Sequence, residues 1–197
     1  MSNVILIVIN IIFFPSNVVF TIRDFNALQD YNLILDFYHK IDNCYYPKLS
    51  DREGGIEGHV MNIVNNKGMF VLYEVDNSLE GVVGFYPMDK DEKVVQFTFF
   101  AFSESFRNSL APYRMAMYLI KNRGNWGYAD TEKLVARTWY KESSMRLEKL
   151  GFQKVGEVKG DVVSDRTSYY YEGNLANIID NIVNRRATVR PSHTQKH

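Results

Sequence analysis

The sequence predicts one α/β (α+β) domain with a mixed, mostly antiparallel twisted sheet and flanking helices. Three apolar, β-branched stretches follow one another between Met69 and Phe102, and the short polar turns between them are typical of β-hairpins. Helical apolar spacing recurs before and after these stretches. One such helix joins the last stretch to a further strand, which predicts a crossover connection. The 197 residues, of which 46% are hydrophobic, are enough to enclose one core.

The predicted elements follow the order β-α-α-β-β-β-α-β-α-β-β. Their bounds are Val18–Arg23, Leu28–Ile41, Ile56–Val64, Met69–Val75, Leu79–Tyr86, Val94–Phe102, Ala111–Asn122, Lys133–Trp139, Ser143–Leu150, Gln153–Lys159 and Thr167–Gly173. The helices are predicted from apolar residues spaced four apart, such as Leu33, Phe37 and Ile41. A polar loop, Ser103–Ser109, follows the central strand and opens the next helix. Gly151 lies where a C-terminal helix cap requires a positive φ.

Residues 1–17 are interpreted as an apolar N-terminal extension or an extra strand. The run Val4–Phe14 is shorter than the ~20 apolar residues of a membrane span, and no Lys or Arg precedes Arg23, as a signal peptide would require. Its β-branched residues favour a buried strand or a sticky extension. The alternatives are a membrane-associated segment, or a start codon placed too early, in which case the domain begins near Val18.

The C-terminal residues 175–197 are expected to form a short helix, Leu175–Asn184, and a basic disordered tail, Arg185–His197. The helix carries an apolar stripe at helical spacing. This stripe consists of Leu175, Ile178, Ile179, Ile182 and Val183. Such a stripe normally packs on its own core, and homodimerisation is its less common use.

The charge balance and the cysteine content indicate which binding partners, disulfides and metal sites to expect. The 23 basic and 23 acidic residues cancel, so no nucleic-acid partner is expected and nothing indicates a membrane surface. The single cysteine, Cys44, permits no intrachain disulfide, and no Cys/His cluster has the spacing of a zinc site. No metal is therefore expected, and a reducing cytoplasm suits this composition.

Two short motifs add to the order of elements. Leu147–Phe152 (LEKLGF) resembles the Y-E-K-L-G-F signature of the GNAT N-acyltransferases. Phe102–Arg107 (FSESFR) resembles the stretch V-x-P-x-Y-R that leads from their central strand into the phosphate loop. Over about Val18–Asn174 the chain thus resembles the GNAT superfamily, and within it the divergent GNAT-like proteins common in phage genomes. The resemblance implies one acyltransferase domain over residues 18–174, with Val94–Asn122 as its acetyl-CoA segment.

The resemblance implies acetyl-CoA as the acyl-donor cosubstrate, with its pyrophosphate held by backbone N–H groups at a helix N-terminus. The donor-binding residues that it implies are Phe100, Ala101, Phe102, Arg107, Asn108, Ser109, Leu110, Ala111 and Tyr113. The first three offer a strand edge to the pantetheine arm and an N–H that polarises the thioester carbonyl. The loop departs from the family pattern R-x-x-G-x-G/A, since Asn108, Leu110 and Pro112 stand at glycine positions and Pro112 has no N–H. Arg107 matches the pattern, and it can contact phosphate or be a solvated loop cation.

The proton-transfer groups of the family are also altered. Leu147 stands where many members carry a tyrosine that protonates the leaving thiolate, and Gln96 stands where some carry a glutamate base. Tyr140 and Tyr170 are the catalytic candidates that replace them, Tyr170 being flanked by two further tyrosines. Packing is the alternative role for each tyrosine.

The acceptor is expected between the helical segment Leu33–His59 and the final hairpin. Polar residues that cluster there in the sequence are His39, Asp42, Tyr45, Tyr46 and Glu53. His39 could serve as a base, or it could be an ordinary exposed helical histidine.

Three functions follow from these observations. The first is an acetyl-CoA-dependent N-acyltransferase that acts on a primary amine of a small molecule or a protein. The second is a catalytically inert GNAT-like binding or structural module, which Gln96, Leu147 and Pro112 favour. The third is a membrane-associated protein anchored by Val4–Phe14.

Overall fold

The computed structural model of the chain describes residues 19–88, 93–161 and 165–188. The N-terminal extension 1–17 and residues 189–197 of the basic tail lie outside this part of the chain. The described residues fall into two compact units. The first contains residues up to Met88 together with Phe97–Ala129, and the second contains Asp89–Gln96 together with the residues from Asp130 onwards.

The mixed α/β fold predicted from the sequence is confirmed. In chain order the elements are β1 (Phe20–Asp24), α1 (Ala27–Ile41), α2 (Gly55–Asn65), β2 (Met69–Val75), β3 (Ser78–Pro87), β4 (Val94–Phe102), α3 (Glu104–Arg107), α4 (Ala111–Asn122), β5 (Lys133–Thr138), α5 (Lys141–Leu150), β6 (Gln153–Lys159), β7 (Thr167–Asn174) and α6 (Leu175–Thr188). Short 3-10 turns occupy Asp42–Cys44, Leu49–Asp51 and Arg123–Trp126.

The described strands follow the hydrogen-bonded order β1-β2-β3-β4-β5-β7-β6. The pairs β1–β2, β2–β3, β5–β7 and β6–β7 are antiparallel. Strand β4 pairs in parallel with β5, and this pairing places Val94–Gln96 opposite Lys133–Val135. The parallel pair agrees with the crossover that the sequence predicts, because parallel neighbours need a long connection such as α4.

In the first unit a tight hairpin sets the register of β2 and β3. Asp76 and Asn77 form its turn with φ of 49° and 66°, and Val75 lies opposite Ser78. Two left-handed residues in a two-residue turn match the twist of the flanking strands, and Asp and Asn tolerate that conformation. One face of these strands packs on α1 and α2. The buried side chains of this core include Ile34, Phe37, Tyr38, Ile56, Val60, Ile63, Phe70, Leu72 and Val82.

In the second unit α5 ends in the glycine cap that the sequence predicts. Gly151 has φ of 97°, and the N–H of Phe152 donates to the carbonyl of Leu147 at 3.1 Å. The stripe of α6 packs mainly inward, because Leu175, Ile178 and Ile182 are buried. A Cβ on Gly173 would lie 2.6 Å from Ile178, so this close approach requires glycine.

Two local predictions differ from the structure. The loop Ser103–Ser109 contains the short helix α3, because the carbonyl of Ser103 accepts the N–H groups of Phe106 and Arg107 at 3.0 Å each. Helix α6 continues to Thr188, so the first four residues of the predicted disordered tail are helical. Arginine and alanine in this stretch are good helix formers. No helix in the described part of the chain is long and apolar enough to cross a bilayer.

Candidate functional site

Aromatic side chains follow the paired part of the central strand β4. Residues Val94–Gln96 pair in parallel with β5. After them, the ring centroids of Phe97 and Phe100 lie 5.6 Å apart.

The last three residues of β4 are firmly placed. Ala101 and Phe102 are buried, and the Phe102 ring packs against Tyr73 at 6.0 Å between centroids. A Cβ on Gly81 would lie 2.5 Å from the Phe102 ring, so glycine is required at that position of β3. Phe100 is 42% exposed. The strand end that the resemblance assigns to the pantetheine arm therefore carries two buried side chains and one exposed aromatic ring.

A carboxylate on β3 anchors the start of the loop after β4. The N–H of Ser103 donates to the Glu80 carbonyl at 3.0 Å, and the Ser103 hydroxyl donates to the Glu80 carboxylate. The Lys40 ammonium lies 3.6 Å from the other carboxylate oxygen, which also accepts the Ser78 hydroxyl at 3.1 Å. Sequence reasoning missed this cluster, because its members lie on three separate elements and form no local motif.

Arg107 ends α3 and reaches back to the segment after α1. Its Nη2 donates to Cys44 Sγ at 3.0 Å, and its side chain is half-buried. The neighbouring Asn108 and Leu110 are exposed. The positive charge of Arg107 is thus held at the loop, in contact with the Cys44 sulfur.

Several backbone N–H groups at the N-terminus of α4 are unavailable to a ligand. The Ser109 hydroxyl donates to the Phe106 carbonyl at 2.8 Å and accepts the N–H of Ala111 at 3.0 Å. Pro112 has no N–H. Among the described residues, the N–H groups of Leu110 and Tyr113 meet no acceptor. Of the residues predicted to bind acetyl-CoA, Arg107–Ala111 and Tyr113 lie in this turn, and there the Ser109 hydroxyl and the Ala111 amide already bond within the protein.

The polar residues predicted on the acceptor side have mainly structural contacts. Asp42 accepts the Leu49 N–H at 2.7 Å and the Ser50 hydroxyl at 2.5 Å. Burial alone would raise the pKa of Asp42, but the hydrogen bonds from Ser50 and Leu49 outweigh it and hold the pKa below its ordinary value. Asp42 therefore organises the turn after α1. His39 is exposed.

Sequence reasoning missed a second histidine, His59, which lies on the face of α2 that packs on the core. Burial, together with the charge of Arg52, lowers the pKa of His59 to about 4. Its ring meets the ring of Tyr38 edge-on at 5.3 Å between centroids. Tyr38 is fully buried, and burial raises the pKa of its hydroxyl. His59 is therefore neutral at physiological pH.

The candidate catalytic tyrosines lie in the second unit. The Tyr170 hydroxyl donates to the carboxylate of Asp161, and Arg137 Nη1 lies 3.4 Å from the same oxygen. Tyr140 directly precedes α5, and its N–H donates to Thr138 Oγ1 at 3.1 Å. The phenol proton of Tyr170 is therefore held in a hydrogen bond to a carboxylate.

The overall architecture matches solved acetyltransferase structures. The structure of yncA from Salmonella typhimurium, determined with its cofactor acetyl-CoA, has a TM-score of 0.60 at 14% identity and covers 79% of this chain and 94% of that chain. An acetyltransferase of the GNAT family from Staphylococcus aureus Mu50 has a TM-score of 0.57 at 19% identity, with 80% and 99% of the two chains covered. The chain has the GNAT fold.

A third structure with the GNAT fold is the aminoglycoside 6'-N-acetyltransferase from Enterococcus faecium, with a TM-score of 0.56 at 15% identity and 78% and 96% of the two chains covered. No protein-family model matches the sequence, and no curated protein matches it either. Within the part of the chain that the structure describes, no three His, Cys, Asp or Glu side chains come together as metal ligands.

Proposed function

We propose that the chain belongs to the GNAT superfamily and is an acetyl-CoA-dependent N-acyltransferase, which transfers an acyl group to a primary amine of a small molecule or a protein. One observation carries this proposal. The end of β4 leads through a loop with a cation, Arg107, to a helix whose Leu110 and Tyr113 N–H groups meet no acceptor among the described residues. Such a helix end attracts anions, because its amides point outward and its dipole is positive there.

In the proposed donor site the two amides and the Arg107 guanidinium hold the pyrophosphate. Arg107 must exchange its contact with the Cys44 thiol for the phosphate, and this exchange is favourable because a charge-assisted hydrogen bond is stronger than a contact to sulfur. Asn108 and Leu110 are exposed, so their side chains leave the loop backbone open to the ligand. The Ser109 hydroxyl supports the helix end from within.

Acyl transfer then proceeds along the edge of β4. The backbone of Phe100–Phe102 hydrogen-bonds the pantetheine arm as an added strand would, and an N–H of this edge stabilises the oxyanion that forms at the thioester carbonyl. The neutral amine attacks the carbonyl carbon, the C–N bond forms and the C–S bond breaks. The departing thiolate takes one proton, and the amine loses one to solvent. Positioning of the two reactants supplies much of the rate enhancement.

Tyr140 and Tyr170 stay our candidates for the proton donor to the thiolate. Tyr170 must leave Asp161 before its proton becomes available, so the two tyrosines are distinguishable by experiment. We expect Tyr140→Phe to lower kcat by about tenfold or more with little change in acetyl-CoA affinity. Tyr170→Phe tests the second candidate in parallel, and it removes a hydrogen bond to Asp161 as well. Equal kcat values for both variants and the unmodified protein would assign the proton transfer to solvent.

The alternative function is a GNAT-like module without turnover. The observation that favours it is that two backbone N–H groups of α4 are missing for a ligand. Pro112 has no N–H, and the N–H of Ala111 already donates to the Ser109 hydroxyl. Such a module would keep the fold and bind no acyl donor. We propose a cytoplasmic location for either protein and, for the acyltransferase, a homodimer as the alternative to a monomer.

Calorimetric titration with acetyl-CoA and with CoA separates the two functions. The acyltransferase is expected to bind both, and release of free thiol in the presence of a panel of primary amines then identifies the acceptor class. The Arg107→Ala protein is the control, since it should bind more weakly while unfolding at an unchanged temperature. A titration without heat or competition at millimolar ligand would leave only the inert module.

A further inference from the structure

A primary amine lies close to the end of β4. The Lys40 ammonium, in the last turn of α1, is 3.6 Å from the Glu80 carboxylate. That carboxylate accepts the hydroxyl of Ser103, and the backbone of Glu80 accepts the Ser103 N–H at 3.0 Å. Ser103 directly follows Phe102, the last residue of the proposed pantetheine edge. One carboxylate and one serine therefore separate the Lys40 amine from that edge.

The two side chains of the pair differ in their freedom to move. The Lys40 side chain is 55% exposed, whereas the Glu80 side chain is 15% exposed and is held by two serine hydroxyls. Glu80 is thus a fixed anchor, and the flexible lysine can leave it and reach a neighbouring thioester. The other ion pairs of lysines in the described residues lie in the second unit, at Lys93, Lys133 and Lys154.

We propose that Lys40 is an internal acyl acceptor, so that the protein N-acylates its own Lys40 from an acyl-CoA bound at Arg107 and α4. This inference rests on the proposed function. The ammonium gives one proton to solvent beside Glu80, and the neutral Nζ attacks the thioester carbonyl carbon. The C–N bond forms, the C–S bond breaks, and the sulfur leaves with the bonding electron pair and takes a second proton from the nitrogen. The products are one N-acyl lysine, one free thiol and one released proton.

Acylation changes the charge beside the loop. The amide of acylated Lys40 is neutral, so Glu80 loses its cation while it keeps its hydrogen bond to Ser103. The unpaired carboxylate then repels an anionic donor at the neighbouring loop. The modified protein is therefore expected to bind acetyl-CoA more weakly than the unmodified protein.

The test is to incubate the full chain with acetyl-CoA and to locate acetyl groups by peptide mass spectrometry, with calorimetry of acetyl-CoA binding under the same conditions. Lys121, an exposed lysine on α4, is the matched control site. Proximity makes the reaction at Lys40 intramolecular, so Lys40 should be acetylated at least about tenfold faster than Lys121. Its rate constant should not change when the protein is diluted.

One variant makes the result decisive. Lys40→Arg keeps the charge beside Glu80 and should bind acetyl-CoA normally without acquiring the label at this position. Equal labelling of Lys40 and Lys121 indicates ordinary chemical acetylation and overturns the inference. Binding of acetyl-CoA without labelling of Lys40 also overturns it but leaves the proposed function intact, whereas absence of binding overturns both.

Discussion

The N-termini of α1 and α4 both leave backbone N–H groups without intrahelical partners, and the two helices treat these groups differently. At α1 the Asn26 side chain accepts the N–H of Leu28 at 3.1 Å, and the Asp30 carboxylate accepts the N–H of Asn26 at 2.7 Å. At α4 the N-cap residue is Leu110, whose side chain offers no acceptor. The N-terminus of α1 is closed by side chains, whereas at the N-terminus of α4, the open end, the N–H groups of Leu110 and Tyr113 meet no acceptor among the described residues.

The charges beside the two ends differ in the same sense. Arg23 makes a bidentate pair with Asp30 at 2.7 and 2.8 Å and also contacts Glu74, so the site at α1 already holds its carboxylates. The first turn of α4 has no acidic residue, and the cation Arg107 precedes it. The comparison teaches that a capping side chain and a nearby carboxylate close a helix N-terminus, and that without them its N–H groups stay available to an anion.

The largest effect is expected at the closed end. Asp30→Asn leaves the Arg23 cation without its bidentate partner and weakens the cap, so we expect a loss of about 3 kcal/mol in the free energy of unfolding. Affinity for acetyl-CoA should not change. Denaturant unfolding measures the loss, with Asp36→Asn on the exposed face of α1 as the matched control. A variant as stable as the control would show that α1 does not depend on its closed end.

The pH dependence of stability provides an independent check on this pair. Hydrogen bonds from Arg23 hold the pKa of Asp30 below its ordinary value of 3.8, against the opposing effect of burial. The folded state therefore binds fewer protons than the unfolded state, and the stabilisation is complete above pH 3.8 and is lost on further acidification. This part of the acid sensitivity should be missing from Asp30→Asn, and unfolding curves recorded across that pH range would reveal it.

A smaller effect, on binding instead of stability, is expected at the open end. Arg107→Ala removes one charged contact worth about 1.5–3 kcal/mol, so acetyl-CoA should bind roughly ten- to a hundredfold more weakly. Stability should stay within about 0.5 kcal/mol, because the side chain, at the end of the short helix α3, is not part of the buried core. Calorimetry and thermal unfolding measure the two quantities. Lys121→Ala, which removes a lysine in the last turn of α4, should leave the affinity for acetyl-CoA unchanged. An equal loss of affinity in this variant would indicate only a general charge effect.

Pro112→Ala tests whether one more N–H group at the N-terminus of α4 raises the affinity for acetyl-CoA. The substitution adds one N–H at the second position of α4, where the structure has none. Acetyl-CoA should bind more tightly by about 1 kcal/mol, which is roughly a fivefold change in Kd. Stability should fall by up to about 1 kcal/mol, since alanine has more freedom in the unfolded chain. Unchanged affinity in calorimetry would mean that the phosphates do not approach this turn.

The smallest effects are expected when the capping side chains Ser109, at α4, and Asn26, at α1, are each replaced by alanine. Ser109→Ala should cost about 0.5–1 kcal/mol of stability, because the hydroxyl that accepts the Ala111 N–H is lost. Affinity for acetyl-CoA should persist, since the freed Ala111 amide can replace any contact of the hydroxyl. Asn26→Ala should cost about 1 kcal/mol without any effect on affinity. A large loss of binding in Ser109→Ala would instead identify its hydroxyl as a direct phosphate ligand.

The sequence predicted the local backbone around the candidate site but not its long-range contacts. The junction of β4, the loop and α4 was predicted, because it follows from adjacent residues. Ser109 was implied as a donor-binding residue, and in the structure its hydroxyl contacts Phe106 and Ala111. His39 was considered as a base, whereas the histidine with the shifted pKa is His59.

The sequence by itself determined the order of the elements, the presence of a short polar turn between β2 and β3, and the glycine cap at Gly151. Each depends on apolar periodicity or on the φ preference of one or two residues, and these are properties of neighbouring positions. Only the tertiary structure decided that Arg107 meets Cys44, 63 residues away in the chain, and that Glu80 joins Ser103 to Lys40. These contacts depend on strand register and helix packing, which arise from the burial of the whole core and leave no pattern along a single segment.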